Sequence, residues 1–453
     1  MNPSLGRVVA LTAIVASSVA GSGLHSQNRS SKAQRELGEL LFFETTLNNP
    51  GATFQSGCGG CHFVGKAPRG GRERFYSEQV PRSLMPGQGS ERQETTLRNT
   101  PALLDLDGAH RFGIDGRFAS LEELVREKIF SNHLGWQSKD RARAEGQVKT
   151  TLLDDPAVDY RPKFQAAYRV DIETLSEKEV VDLTVRALTQ YTGEIQSART
   201  ATWDAFADQN RIPLGPARDE DPKHYAGRIY GRLTNQEGRV LIKRPVGFSE
   251  EAYQGFKTFF RVEGNASVGN CVSCHVPPDF TDGFFHNTGI SELEYTDVNS
   301  ARAFAKLPIA KAAAAGRRPD ADFLAVPTKS NKSKIDLGHW NWVDLENSPQ
   351  RVEGETDDAL LQRMIGAFRT PSLRNLPRTD PYMHNGAYPT LESAVADIVR
   401  VNSLAREGKL YSIDPDYLVM NLADSDIAPL VAFLRSIDEV DEAEFRELLI
   451  TFE

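Results

Sequence analysis

Apolar residues recur at helical spacing in three well-separated stretches. From Ser176 to Ser197, Val181, Val185, Leu188, Tyr191 and Ile195 fall on one stripe, and Ser176 with Glu179 forms a capping-box signature ahead of it. From Thr390 to Val401, Leu391, Ala394, Val395 and Ile398 repeat the pattern, and from Asp426 to Ile437 Ile427, Leu430, Val431 and Leu434 do so again. Such a stripe is first of all a core face, because burying it is what stabilises the helix. The chain is therefore expected to be mainly α-helical.

Other stretches lack this rhythm. Residues 205–244 are polar and carry Pro213, Pro216 and Pro222, the composition of a connection between two domains. Residues 300–355 mix charges with few apolar stripes and read as an insertion in the second domain. Within it, His339-Trp340-Asn341-Trp342 reads as an anchor pinning the insertion to the body, with an electron-relay station as the alternative. At the start, Arg7 precedes an apolar run from Val8 to Ala20 that ends in Ser18-Val19-Ala20. That is the layout of a cleaved export signal, so 1–20 is expected to be removed and the protein to be periplasmic. The run is short for a membrane span, and no later stretch is long and apolar enough to be one.

A chain of 453 residues exceeds one ordinary core and suits two domains. With 40% hydrophobic and 25% charged residues, neither a fibrous nor a disordered chain fits. The formal net charge of -9 argues against nucleic acid as a partner.

Four cysteines in an exported chain would ordinarily form two disulfides. Their spacing argues otherwise. Cys58-Gly59-Gly60-Cys61-His62 and Cys271-Val272-Ser273-Cys274-His275 are two C-x-x-C-H motifs that use every cysteine. Two thiols at this spacing form thioethers to the vinyl groups of one porphyrin, and the adjacent His binds iron from below. A zinc site would close a tetrahedron of ligands, and a redox C-x-x-C pair has no need of the following His. Two covalently bound haem c groups are therefore expected, with His62 and His275 as iron ligands. Cys58 and Cys271 stand 213 positions apart, which leaves room for one haem domain over 30–204 and another over 245–453.

With the motifs in place, the chain resembles the bacterial di-haem cytochrome c peroxidase and MauG-like superfamily. The likeness runs from about Glu36 to Ile437. It rests on Glu36-Leu37-Gly38 and Leu41-Phe42-Phe43 before the first haem motif, and on Leu97-Arg98-Asn99-Thr100-Pro101 after it. Asp115-Gly116-Arg117 with Ser120-Leu121-Glu122 follows. Phe285-His286-Asn287 with Gly289 comes after the second motif. The most specific runs are Thr370-Pro371-Ser372-Leu373-Arg374-Asn375 and Pro381-Tyr382-Met383-His384-Asn385-Gly386. The resemblance implies two cytochrome c-like haem domains, mainly α, the first reacting with hydrogen peroxide and the second relaying electrons. It implies a calcium ion between them, with Asn99, Thr379 and Pro381 as matching ligand positions. It also places Arg117 and Arg374 where a guanidinium fork would pair with haem propionates, a buried structural ion pair being the alternative.

The sequence departs from the family in informative places. Between His62 and His110 there is no His to serve as a removable sixth ligand, so the first iron is expected to be open from the start; Met85 is a ligand only as the lesser alternative. The Trp that often precedes the Asp-Gly-Arg run is Ile114 here. The family's distal Gln falls on Leu124 and its distal Glu on His133. His133 is then a candidate acid–base group, with Glu123 or Glu127 as alternatives. The position that supplies Met or Tyr to the second iron is Ile398, which cannot ligate; Met364, Met383 or a side chain of the insertion would have to replace it.

Three functions remain open on this reading. The first is a periplasmic peroxidase fed by a small c-type cytochrome or a cupredoxin. The second is a MauG-like oxidase that modifies a residue on a partner protein, and the third is a di-haem electron carrier. A homodimer is an assembly compatible with each.

Overall fold

The computed structural model describes side chains over residues 31–52, 57–62, 96–137, 140–235, 242–300, 302–309 and 323–440, together with the backbone of four two-residue strands between Val64 and Thr95. The export signal expected at 1–20 and the side chain of Met85 lie outside the described residues.

Helices dominate. The first group comprises α1 (Lys32–Phe42), α2 (Leu121–Ile129), α3 (Arg141–Asp154), α4 (Tyr160–Tyr168) and α5 (Glu177–Gly193). The helix expected from Ser176 is α5. Its Ser176 hydroxyl accepts from the Glu179 N–H while the Glu179 carboxylate accepts from the Ser176 N–H. Val180, Val181, Val185, Leu188 and Tyr191 of α5 meet Leu37, Leu41 and Phe42 of α1 in a core that also takes in Val125, Ile129, Trp136 and Phe164. Residues four apart along each helix bring these side chains to one face.

A second core begins with α6 (Thr202–Gln209), α7 (Pro222–Thr234) and α8 (Glu250–Phe260), and closes with α11 (Leu391–Arg406) and α13 (Ile427–Arg435). Phe256, Phe259, Phe260, Phe280 and Phe433 pack around Trp203, with ring centroids 4.7–6.4 Å apart in the contacts among them and Trp203. The stretch 205–244 thus differs from the expected connection. It supplies Phe206, Tyr225, Ile229 and Leu233 to this core, all 0–1% exposed. Its prolines do not break the helices: Pro222 is the first residue of α7, where no backbone N–H is needed.

A third core lies where few apolar stripes were expected. Phe304, Phe323, Ile335, Leu337, Trp340 and Val343 gather with Leu360, Leu361 and Met364 around the antiparallel pair Phe285–Asn287 and Ala367–Arg369. These residues stand on short turns and loops, together with α9 (Ile290–Val298) and α10 (Asp357–Arg363), so no helical period announces them. The remaining short helix, α12 (Asp416–Val419), packs on α11.

The segments after the two haem motifs repeat one another at an offset of 270 positions. Left-handed Asp105 and Asn375 each open a 3-10 turn, at Leu106 and Leu376. Bridges Phe112↔Phe118 and Tyr382↔Tyr388 close the same loop, with positive φ at Gly113 and Met383 and at Gly116 and Gly386. Ser120 and Thr390 then cap α2 and α11. The haem motifs themselves are 213 positions apart, so the second segment carries 57 more residues between motif and repeat, which accounts for the third core.

Candidate haem sites

Both C-x-x-C-H motifs fold as the same tight turn. His62 N donates to Cys58 O at 3.0 Å, and His275 N donates to Cys271 O at 2.9 Å. All four cysteines are free of disulfides. Burial pushes the Cys58 and Cys271 thiols up to about 12, so neither is a ready thiolate for zinc or for disulfide exchange. His275 Nδ1 faces the Phe280 carbonyl at 3.0 Å, which fixes the proton on Nδ1 and leaves Nε2 for iron. Burial lowers both imidazoles, His62 to about 4, and so keeps them in the neutral, ligating form. Paired thiols, a neutral imidazole and an apolar surround fit a covalently held haem at each motif.

The wall of the first site comes from α2 and the turn after it. Asn49 N donates to Leu134 O at 2.9 Å and its Nδ2 donates to Gly135 O at 3.0 Å, while Asn48 Oδ1 accepts from Gly57 N at 3.3 Å. Both asparagines are buried. Together they tie the 132–135 turn to the strand of chain that enters the haem motif. His133 stands on that turn, with Ser131 Oγ 3.1 Å from Nδ1 and Lys128 Nζ 3.2 Å from Nε2. Burial first, then the charges of Lys128, Arg117 and His62, bring His133 down to about 3. Burial, with Arg117 next, lowers Lys128 to about 8. Lys128, which sequence reasoning passed over, therefore stands against His133 and within electrostatic reach of His62. Its signal was only its place on the α2 face one turn after Leu124.

Glu123 and Glu127, the alternative acid–base candidates, are exposed and turned away. Glu123 Oε2 accepts from Ala119 N at 2.8 Å as part of the α2 cap, and Glu127 lies 3.8 Å from Arg141.

The two arginines expected at propionates separate. Arg374 is fully buried and forks onto Asp204 at 2.6 and 2.9 Å, with the Pro278 carbonyl taking further N–H groups. It is the structural ion pair, because its fork already has a carboxylate. Arg117 keeps a buried Nε with no hydrogen-bond partner, and its guanidinium lies 4.9 Å over the Trp342 ring, whose Nε1 is likewise buried and unpartnered. Arg369 was missed: its Nε is buried without a partner, and burial lowers it to about 10. Among the described residues no ion pair includes it. Buried donors of this kind match an anion such as a propionate.

At the second site, Ile398 is partly buried on α11 and Met364 is wholly buried in the third core. Tyr417 of α12 is the other polar neighbour: burial, then the nearby Cys274 and Cys271 sulfurs, raises its phenol well above the usual range. His286 lies between Asp282 (2.8 Å) and Asp414 (2.7 Å), beside Cys274. His384 stacks on Phe368 with centroids 3.7 Å apart.

The halves meet around Arg98, which pairs with Asp115 at 2.7 Å and with Asp336 at 2.6 Å. His339 Nδ1 lies 2.8 Å from Asp115 O and its ring stacks on Phe285. Gly116 of the Asp-Gly-Arg run has φ 72°, and a Cβ there would sit 2.5 Å from Phe285 and 2.7 Å from His339 Nδ1, so only glycine fits. Trp340 is 2% exposed in the third core, in keeping with an anchoring role. Asn99 Nδ2 lies 2.5 Å from the Pro381 carbonyl, its buried Oδ1 has no partner, and Thr379 is two residues away on the same turn. These oxygens fit a hard cation.

Residues 32–211 match the family model described as di-haem cytochrome c peroxidase. Over most of its length, the chain is 24% identical over 405 residues to cytochrome-c peroxidase IdrP2 of Denitromonas iodatirespirans, covering 89% of this chain and 80% of the relative. It is 24% identical over 412 residues to the methylamine utilization protein MauG of Methylophilus methylotrophus, covering 89% and 81%. Among solved structures, the di-haem peroxidase BthA of Burkholderia thailandensis shares the fold at TM-score 0.53 and 17% identity, over 94% of this chain and 89% of that one. A MauG-like protein associated with microbial copper homeostasis does so at TM-score 0.51 and 19% identity, over 91% of each chain. Over residues 32–211 the chain thus matches the di-haem cytochrome c peroxidase family, over most of its length it is similar to both a cytochrome-c peroxidase and MauG, and it is a cytochrome-c peroxidase-like oxidoreductase.

Proposed function

We propose that this protein is a periplasmic di-haem peroxidase that reduces hydrogen peroxide with electrons from a small redox protein, a c-type cytochrome or a cupredoxin. The observation that carries the reading is the state of His133: both ring nitrogens are engaged, by Lys128 and by Ser131. The one imidazole in the described residues around Lys128 is therefore tied up in hydrogen bonds and is not available as a sixth ligand, which leaves the first iron open to peroxide. When bound, the first haem supplies the redox chemistry of peroxide reduction, and hydrogen peroxide takes two electrons and two protons to give two waters.

The chain's own part is to hold and orient. Cys58, Cys61 and His62 fix the porphyrin, and the Asn48–Asn49 clamp holds the 131–135 turn over it. Arg117 and Arg369 offer buried donors to propionates. The layout proposed is two c-type haem domains, with the third core as an insertion in the second and a calcium ion held by Asn99, Thr379 and Pro381 where the halves meet. Support comes from the 270-residue repeat and from the separate cores around Trp136, Trp203 and Trp340.

The experiment is peroxide consumption by the di-haem protein with reduced cytochrome c or reduced cupredoxin as donor. Oxidation of two donor equivalents per peroxide supports the reading; peroxide-independent electron exchange alone would assign the carrier function. A MauG-like reading has one specific observation in its favour: Trp342, partly exposed on the third core, stacks on Arg117 and so links that surface to the first site. Oxidation of an added partner protein in preference to a small donor would decide for it.

A further inference from the structure

We propose that Lys128 is the proton-donating group of the first haem site and that His133 is its positioning residue. This rests on the peroxidase reading above. The hydrogen-bond pattern allows one consistent direction. An ammonium only donates, so Lys128 Nζ donates to His133 Nε2 at 3.2 Å. His133 then carries its proton on Nδ1 and donates it to Ser131 Oγ at 3.1 Å, and Ser131 Oγ donates to the Lys128 carbonyl at 3.0 Å. Every polar atom of the imidazole is used within this loop, and none remains to meet a substrate. Lys128 is different. Among the described residues His133 is the one hydrogen-bond partner of Nζ, and no carboxylate pairs with it, so two N–H groups are left for an oxidant. Arg98 and Arg117 take up Asp115, the acidic group that would otherwise neutralise Lys128.

The proton path balances on this assignment. Lys128 gives a proton to the outer oxygen of hydrogen peroxide as the O–O bond breaks, and that oxygen departs as water with the bonding electron pair. Lys128 takes the proton of the inner oxygen in return, so its charge is unchanged. The inner oxygen becomes the second water with two electrons from the small redox protein and two protons from solvent.

The test uses the ferric di-haem protein and fluoride, whose binding at an open haem iron is read from the visible spectrum and depends on a neighbouring hydrogen-bond donor. Lys128→Met is expected to weaken fluoride binding about 10- to 100-fold, the range of one charge-assisted hydrogen bond, and to lower kcat/KM for peroxide in parallel. Lys128→Arg, which keeps a cationic donor, is expected to recover much of the fluoride affinity. His133→Gln, whose amide oxygen still accepts from Nζ, is expected to stay within about threefold of the parent, because an acceptor of similar reach preserves the Lys128 orientation. His133→Leu, with no acceptor, is expected to weaken fluoride. The proposal is overturned if Lys128→Met and Lys128→Arg both bind fluoride as the parent does, or if His133→Gln loses as much as Lys128→Met. A parent protein that binds no fluoride at all would instead overturn the open-iron reading on which the proposal rests.

Discussion

Arg98 holds Asp336 in a two-point ion pair, Nε to Oδ2 at 2.6 Å and Nη2 to Oδ1 at 2.7 Å, although 238 positions separate them in the chain. The same guanidinium reaches Asp115 at 2.7 Å and lies 5.2 Å over the Phe368 ring. One buried cation therefore joins the first haem segment, the third core and the strand that leads to Thr370-Pro371. Removing it strips the buried Asp336 carboxylate of that cation and leaves Asp115 with Arg117 alone. Arg98→Met is expected to destabilise the protein by about 3–5 kcal/mol, measured by denaturant unfolding, with Arg98→Lys intermediate.

The same cluster sets an acid limit. Burial alone would raise the Asp115 carboxyl, but Arg98 and then Arg117 outweigh it and bring it down to about 2. Because the folded value lies below the unfolded one, the stabilisation is present above about pH 4 and lost as pH falls toward 2. Thermal unfolding from pH 6 to pH 2 is expected to show this loss in the parent and a flatter profile in Asp115→Asn.

His286 gives the opposite sign. Burial would lower it, but Asp282 and Asp414 on either side raise it well above its ordinary range. A cation favoured in the folded state contributes fully below the unfolded value of about 6.5 and progressively less as pH rises above that. His286→Gln is expected to lower the melting temperature at pH 6 and to show a weaker decline from pH 6.5 to 9 than the parent.

Arg374 and Asp204 form the buried pair of the second core, with side chains 0% and 3% exposed. Arg374→Met should cost about 3–5 kcal/mol by stranding Asp204, and Arg374→Met with Asp204→Leu should recover most of it. Were Arg374 instead a propionate partner, the double substitution would recover nothing, and the visible spectrum of the second haem would change in both variants.

The parts of this protein that were legible in the sequence share one property: local chemistry decides them. The two C-x-x-C-H turns need only five consecutive residues. The helix from Ser176 needs its cap and an i, i+4 stripe, and α5 forms where both occur. What was not legible depends on distant partners. Nothing around Phe206 or Tyr225 says that a proline-rich stretch will fill the second core, because the rings they meet, Phe248 and Phe260, lie on other elements. The third core assembles Phe304, Ile335 and Trp340 from loops, where apolar spacing has no period to read. The fates of Arg374 and Arg369 are likewise set by whether a carboxylate arrives from elsewhere: Asp204 reaches one of them. Lys128 could not be told from a solvated helix lysine until the Asn49 clamp folded the His133 turn over it.

The account depends on two covalently held porphyrins, the first with an iron open to ligands. The most direct test is the EPR spectrum of the ferric protein from a host that matures c-type cytochromes, with haem counted after denaturation. The account predicts two haems retained per chain and a high-spin signal that shifts on adding fluoride. It also predicts that Cys58→Ser with Cys61→Ser leaves one retained haem and abolishes that signal. Porphyrin that washes away on denaturation, or two low-spin irons indifferent to fluoride, would contradict it.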